Sequence, residues 1–195
     1  MIIKEDIWNT LKPIYSKGKG AAMYKTLKLV NKLRKIIKRF IFTKIVKAIA
    51  KKVGKDLIVN GYTLVTPTTI LGDNVSFNGM KMFGGGQIVI GNNFHSGVDC
   101  MIISQNHNFD SGETIPYDKT YIYKDVVIED NVWIGSKVNI LGGVTIGEGA
   151  IIQAGSTVVN DIPACAIAGG HPARVFKYRN KEHYYKLKSE NKVLR

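Results

Sequence analysis

Six aliphatic residues, Ile128, Ile134, Ile140, Ile146, Ile152 and Val158, stand six positions apart. A second row follows each of them by four: Val132, Val138, Val144, Ala150, Ser156 and Ile162. An α-helix repeats every ~3.6 residues and a strand every second one, so neither produces a strict period of six. Self-similarity at a fixed short period specifies a solenoid, here built from flat six-residue faces stacked coil on coil. The intervening glycines, Gly143 and Gly149 among them, suit its tight corners.

The same unit returns upstream with its phase broken. Leu71-Gly72-Asp73-Asn74-Val75 and Ile90-Gly91-Asn92-Asn93-Phe94 mirror Ile128-Glu129-Asp130-Asn131-Val132, and Val59 and Val65 extend the register backwards. Gly84-Gly85-Gly86 is expected to absorb one phase shift. Between about residues 104 and 125 the repeat stops. An excursion of that length from a regular solenoid is the usual place for function rather than stability.

Charge divides the chain of 195 residues into three parts. Residues 1–55 carry a balance of +14, residues 56–170 of −7 and residues 171–195 of +6. The expected organisation is a basic amphipathic helical region, a catalytic solenoid over 56–170 and a basic C-terminal tail with a short helix. An acidic middle between basic ends does not suit a nucleic-acid-binding domain, whose folded face should be basic. From Tyr24 to Val53, apolar residues at three- and four-residue spacing (Leu29, Leu33, Ile36, Phe40) predict a helix. No acidic residue lies between Ile7 and Lys55. That helix therefore either packs across the end of the solenoid or meets an anionic membrane or glycan, and the two are compatible.

The composition, 45% apolar with 20 Gly and 5 Pro, excludes collagen-like and disordered classes. No stretch reaches the roughly 20 apolar residues that cross a bilayer. Two cysteines, Cys100 and Cys165, cannot build a disulfide framework, and no secretory leader is legible. A cytoplasmic setting is the expectation, with peripheral contact to the inner face of the membrane.

Of the four histidines, His107 has the setting for chemistry, at the start of the excursion between Asn106 and Asp110. An imidazole is the usual general base near neutral pH. Position alone leaves open a simple loop histidine. A zinc centre needs three nitrogen or sulfur ligands, and His95 and His107 lack a third, so no metal is expected. Cys100, at an inward repeat position, reads as a buried structural thiol. Nucleophile elbows, Walker loops and dinucleotide fingerprints are absent from the sequence.

Asn106-His107, then Asn131-Val132-Trp133-Ile134-Gly135, then Ala168-Gly169-Gly170-His171-Pro172-Ala173-Arg174-Val175 resemble the hexapeptide-repeat acetyltransferases. The branch most similar is that of the maltose/galactoside and surface-polysaccharide O-acetyltransferases, over about residues 58–178. The resemblance implies a mainly β fold, a left-handed parallel β-helix, assembled as a homotrimer with each active site at a subunit boundary. It implies His107 as the base, the backbone N–H of Ser136 as oxyanion donor, and Asp110 or a backbone carbonyl as the group orienting His107. Acetyl-CoA would meet Trp133, Ser136 and Ala154 along its thioester and pantetheine end. Val159, Asn160, Arg174 and Lys177 would border its nucleotide half. Asn78, Asn106 and Tyr117 form the expected acceptor side.

One departure bears on the acceptor: where the galactoside branch has an acidic sugar contact, this chain has Gly84-Gly85-Gly86. The basic helix also replaces the helical region that closes the acceptor pocket in those enzymes. The expectation is acetyl transfer to a hydroxyl of a surface glycan or its lipid-linked precursor. The rivals are a xenobiotic or amino-sugar N-acetyltransferase and a membrane-docked trimeric scaffold.

Overall fold

A computed structural model describes residues 20–194. The chain divides into two compact units, one ending at Lys38 and the other running from Arg39.

Helix α1 spans Gly20–Ile49. The expected helix end at Val53 is corrected, because the chain changes to extended backbone before it. Lys52 and Val53 form a strand paired in parallel with Ile70 and Leu71. Lys51 N–H donates to Thr69 O at 2.9 Å and Gly54 N–H to Leu71 O at 2.9 Å. The first coil thus offers these N–H groups better partners than another helical turn could. Phe42 and Val46, one turn apart, pack into the core beneath. In the sequence, Gly18 and Gly20 read as a flexible break before this helix; Gly20 is its first residue and Gly18 lies outside the described residues.

From Lys52 to Gly170 the chain winds as a left-handed parallel β-helix of about six turns. Its three faces are a five-stranded, a seven-stranded and a four-stranded sheet. Partner positions give the coil length directly. Trp133 pairs with Ile151 and Asn139 with Thr157, so a regular coil takes 18 residues. Ile70 pairs with Val89, a coil of 19 whose additional residue is taken up around Gly84-Gly85-Gly86. His95 pairs with Trp133, a coil of 38 that contains the excursion.

All six residues of the strict repeat from Ile128 to Val158 are fully buried. They stack in columns, Leu71 over Ile90, Ile128 and Ile146 on one face and Ile102, Ile140 and Val158 on another. Each side chain of this size contributes roughly 1.5–3 kcal/mol by leaving water. At one corner Asn74, Asn93 and Asn131 adopt positive φ, and their amides form a ladder with 2.9 Å steps. Asparagine tolerates that backbone and supplies both donor and acceptor to the next coil. That is why the Asp/Asn-Asn motif recurs at three successive coils, Asp73-Asn74, Asn92-Asn93 and Asp130-Asn131.

The solenoid closes with Ala166–Gly170, on which Ala173–Tyr178 folds back antiparallel. Helix α2, Lys181–Ser189, follows, with Asn180 as N-cap accepting from His183 N–H at 3.0 Å. Tyr184 and Lys188 reach Glu148 at 2.8 and 2.6 Å, tying the tail to the asparagine corner. Cys100 is buried, its thiol directed at Gly135 O at 3.1 Å, and burial raises its pKa above the usual thiol value.

Candidate active site

The excursion is a β-hairpin. Gln105–His107 pairs antiparallel with Tyr121–Tyr123, placing His107 opposite Tyr121 and Asn106 opposite Ile122. Its loop is held by Asp118, whose carboxylate accepts from Thr120 N–H at 2.8 Å and Glu113 N–H at 3.3 Å. Those bonds, led by that from the Thr120 hydroxyl, hold Asp118 below the usual carboxylate range. Asn108 N–H donates to Thr120 O at 3.1 Å across the hairpin neck.

The His107 imidazole stacks on Tyr117, centroids 3.9 Å apart and planes 16° from parallel, and also meets Tyr121 at 4.8 Å. Its Nδ1 is buried and has no hydrogen-bond partner among the described residues. Asp110 is exposed and makes no hydrogen bond to His107, so within one chain the carboxylate expected to orient the ring does not do so. Asn106 is exposed beside it and Tyr117 is partly exposed.

A second group lines the edge between the seven- and four-stranded sheets. Arg39 Nε donates to Asn60 Oδ1, Asn60 Nδ2 to Asn78 Oδ1, and Asn78 Nδ2 to Ser96 O, at 3.0, 3.0 and 2.8 Å. Gly97 follows on this edge, then Ser136, then Ala154. A Cβ on Gly97 would stand 2.3 Å from Ser136 N, so only glycine lets these coils meet here. Ser136 accepts from Val98 N–H at its hydroxyl (3.2 Å) and from Gly155 N–H at its carbonyl (2.9 Å). Its own N–H donates to no acceptor among the described residues. An N–H left free in a ladder of paired neighbours is available to an oxyanion.

Trp133, half exposed, lies on the outer surface of the seven-stranded sheet between His95 and Ile151. Burial lowers the His95 pKa below the ordinary imidazole value. Val159 and Asn160 are exposed, at the corner after Val158. Arg174 and Lys177 project from the final strand, both exposed, and neither forms an ion pair among the described residues. His171 Nδ1 is 2.6 Å from Thr157 Oγ1. Among the described residues no group of three His, Cys, Asp or Glu could hold a metal ion.

Sequence reading places Tyr121 and Asp118 in the excursion but gives neither a role; they set the ring surroundings and the loop shape. Their signal was the antiparallel register, which spacing alone does not reveal.

The family described as bacterial transferase hexapeptide (six repeats) matches residues 125–160. The chain is 48% identical over 64 residues to the galactoside O-acetyltransferase of Escherichia coli, covering 31% of this chain and 32% of that one. It spans between 32% and 54% of the length of the first curated relatives it matches. Among solved structures, a hexapeptide-repeat acetyltransferase of Vibrio cholerae complexed with acetyl coenzyme A is similar, with TM-score 0.60 and 25% identity over 87% of this chain and 84% of that one. A galactoside acetyltransferase in complex with coenzyme A gives TM-score 0.62 and 26% identity over 78% and 82% of the two chains.

Proposed function

The chain belongs to the hexapeptide-repeat transferase family, and on that premise we propose that it moves the acetyl group of acetyl-CoA onto a sugar hydroxyl. The observation that carries this reading is His107, held on a braced hairpin against two tyrosine rings. Similarity to proteins named as acetyltransferases, two of them solved with acetyl coenzyme A or coenzyme A, supports the donor.

In this mechanism the acceptor oxygen attacks the thioester carbonyl while His107 takes its proton, since a neutral hydroxyl is a weak nucleophile. The negative charge on the former carbonyl oxygen is met by the free N–H of Ser136. When the C–S bond breaks, His107 returns the proton to the departing thiolate. Trp133, Ser136 and Ala154 border the thioester and pantetheine, with Val159 and Asn160 beside the nucleotide half. Arg174 and Lys177, free of acidic partners among the described residues, meet its phosphates. Asn78 lies on the same edge as Ser136, which suits an acceptor contact beside the reacting carbonyl; Asn106 and Tyr117 face it from the hairpin.

The site closes between copies of the chain, as a homotrimer would arrange it. His107 stands on a hairpin rooted after Ile103, whereas Ser136 follows Ile134 at the corner before Asn139. These two corners are separated by the strand Cys100–Ile103, about 13 Å of backbone at ~3.3 Å per residue. A neighbouring copy's edge against the hairpin brings base and oxyanion donor together, and supplies an acceptor for the orphan Nδ1.

The acceptor is a cell-surface polysaccharide or its lipid-linked precursor, met from the cytoplasmic side of the membrane. Gly84-Gly85-Gly86 leaves no acidic contact for a free galactoside, and the basic helix favours a membrane-proximal substrate. The test is CoA release from acetyl-CoA over a panel of saccharides, glycan fragments, amino sugars and antibiotics, with the product linkage identified by base treatment. A base-labile ester on a saccharide supports the reading. A stable amide on an amino sugar or antibiotic replaces it with N-acetylation, and acetyl-CoA binding without turnover on any acceptor favours the scaffold.

A further inference from the structure

Helix α1 contains nine Lys and Arg and no Asp or Glu. At about 100° per residue, Leu29, Val30, Leu33, Ile36, Ile37 and Phe40 fall within one arc of roughly 120°. Lys25, Lys28, Lys32, Lys35, Lys38 and Arg39 occupy the facing arc. All six apolar side chains are exposed, between 48% and 66%. The stripe ends sharply. Phe42 and Val46, on the basic arc's side, turn into the core, while Lys44 and Lys47 take the positions that would continue the apolar one. An apolar stripe about 17 Å long thus stands apart from the residues that anchor the helix.

We propose that residues 22–41 dock this protein onto an anionic lipid bilayer, the helix lying in the interface with its apolar arc among the acyl chains and its cations at the headgroups. No described helix is long and apolar enough to cross a membrane, so the segment lies on the surface rather than spanning it. Charge argues for this occupant over a second copy of the helix. Parallel copies, each wholly basic, would repel with no acidic residue to offset them. The apolar arc argues against a soluble polyanion, which would engage the cations and leave six large apolar residues in water. The inference rests on the proposed function only in that a lipid-linked acceptor would be presented on such a surface.

The full-length protein is sedimented with vesicles of phosphatidylcholine alone and of phosphatidylcholine mixed with phosphatidylglycerol. Acetyl-CoA binding and thermal unfolding are measured on the same samples. Binding is expected to the mixed vesicles only, and to weaken on the order of fivefold per cation removed, so by about a hundredfold in Lys28→Ser/Lys32→Ser/Lys35→Ser. It is expected to weaken comparably in Leu33→Glu/Ile37→Glu and to fall in about 1 M salt, where the Debye length is ~3 Å. The lysine variant keeps the proposal testable should the glutamate pair unfold the helix. Equal binding to both vesicle types overturns the proposal, as does loss in the lysine variant alone with capture by a soluble sulfated polysaccharide. Self-association through the helix, lost in the glutamate pair, overturns it too. Vesicle binding retained in His107→Ala separates this inference from the enzymatic one, since either can fail without the other.

Discussion

The imidazole of His107 and the phenol ring of Tyr117 lie face to face, 3.9 Å between centroids and 16° from parallel. Nine residues of loop separate them, and Asp118 fixes the end of that loop through Thr120 and Glu113. The stack restricts the imidazole to one plane before any substrate arrives, the positioning that catalysis by proximity requires.

Loss of the stack is therefore expected to lower kcat more than it raises KM for acetyl-CoA. A stacked ring pair contributes about 0.5–1.5 kcal/mol beyond area burial, so Tyr117→Ala should cost roughly 2- to 13-fold in kcat. Tyr117→Phe, which keeps the ring, should stay near wild type. Steady-state kinetics of both variants check this, and equal losses in the two would assign the effect to the hydroxyl instead.

Arg174 and Lys177 are expected to act on donor affinity alone. Charge-assisted bonds to phosphate contribute about 1.5–3 kcal/mol each, so Arg174→Ala should raise KM for acetyl-CoA by about tenfold or more with kcat retained. Titration of acetyl-CoA at saturating acceptor reads the effect, which should shrink as salt is added.

The tail latch should be pH-sensitive. Burial raises the Glu148 pKa, but its bonds to Lys188, Tyr184 and Asn131 outweigh this and bring it below its ordinary 4.5. Lys188 is raised above 10.5 by the same carboxylate. A depressed carboxylate gives stability that is present above its unfolded value and lost as pH falls through the folded one. A raised lysine gives stability that is complete below its unfolded value and lost as pH rises through the folded one. Hydrogen-exchange protection of Lys181–Ser189 should thus hold between about pH 4.5 and 10.5 and fall outside. Glu148→Gln should flatten the acid limb.

Core columns make the solenoid intolerant of truncation. Ile140 is fully buried, between Ile102 and Val158 in its column, so Ile140→Ala is expected to cost about 2–5 kcal/mol. Denaturant unfolding measures it, and a similar change at exposed Ile115 should cost under about 0.5 kcal/mol.

How much of this was legible beforehand follows from what each signal depends on. The period of six is a property of consecutive residues, so the solenoid, the buried Cys100 thiol and the length of the excursion could be read directly. The helix end could not. Apolar spacing continues past Ile49, and the change to a strand at Lys52–Val53 depends on pairing with residues 18 positions later. The candidate site could be named as a set of residues but not as a place. His107 and Ser136 were nameable from motifs, whereas their standing on different corners follows from coil register. The Asp118 brace and the Tyr121 contact depend on hairpin pairing, which the sequence of the excursion does not encode locally.

The central claim is that His107 is the base of acetyl transfer. Its most direct test compares wild type with His107→Ala for acetyl-CoA-dependent turnover of the best saccharide acceptor, with acetyl-CoA binding measured in parallel. The account predicts binding within about twofold of wild type and turnover lower by roughly 10²- to 10⁴-fold, the usual contribution of a general base. Turnover that survives the substitution would contradict it and place the chemistry on another residue.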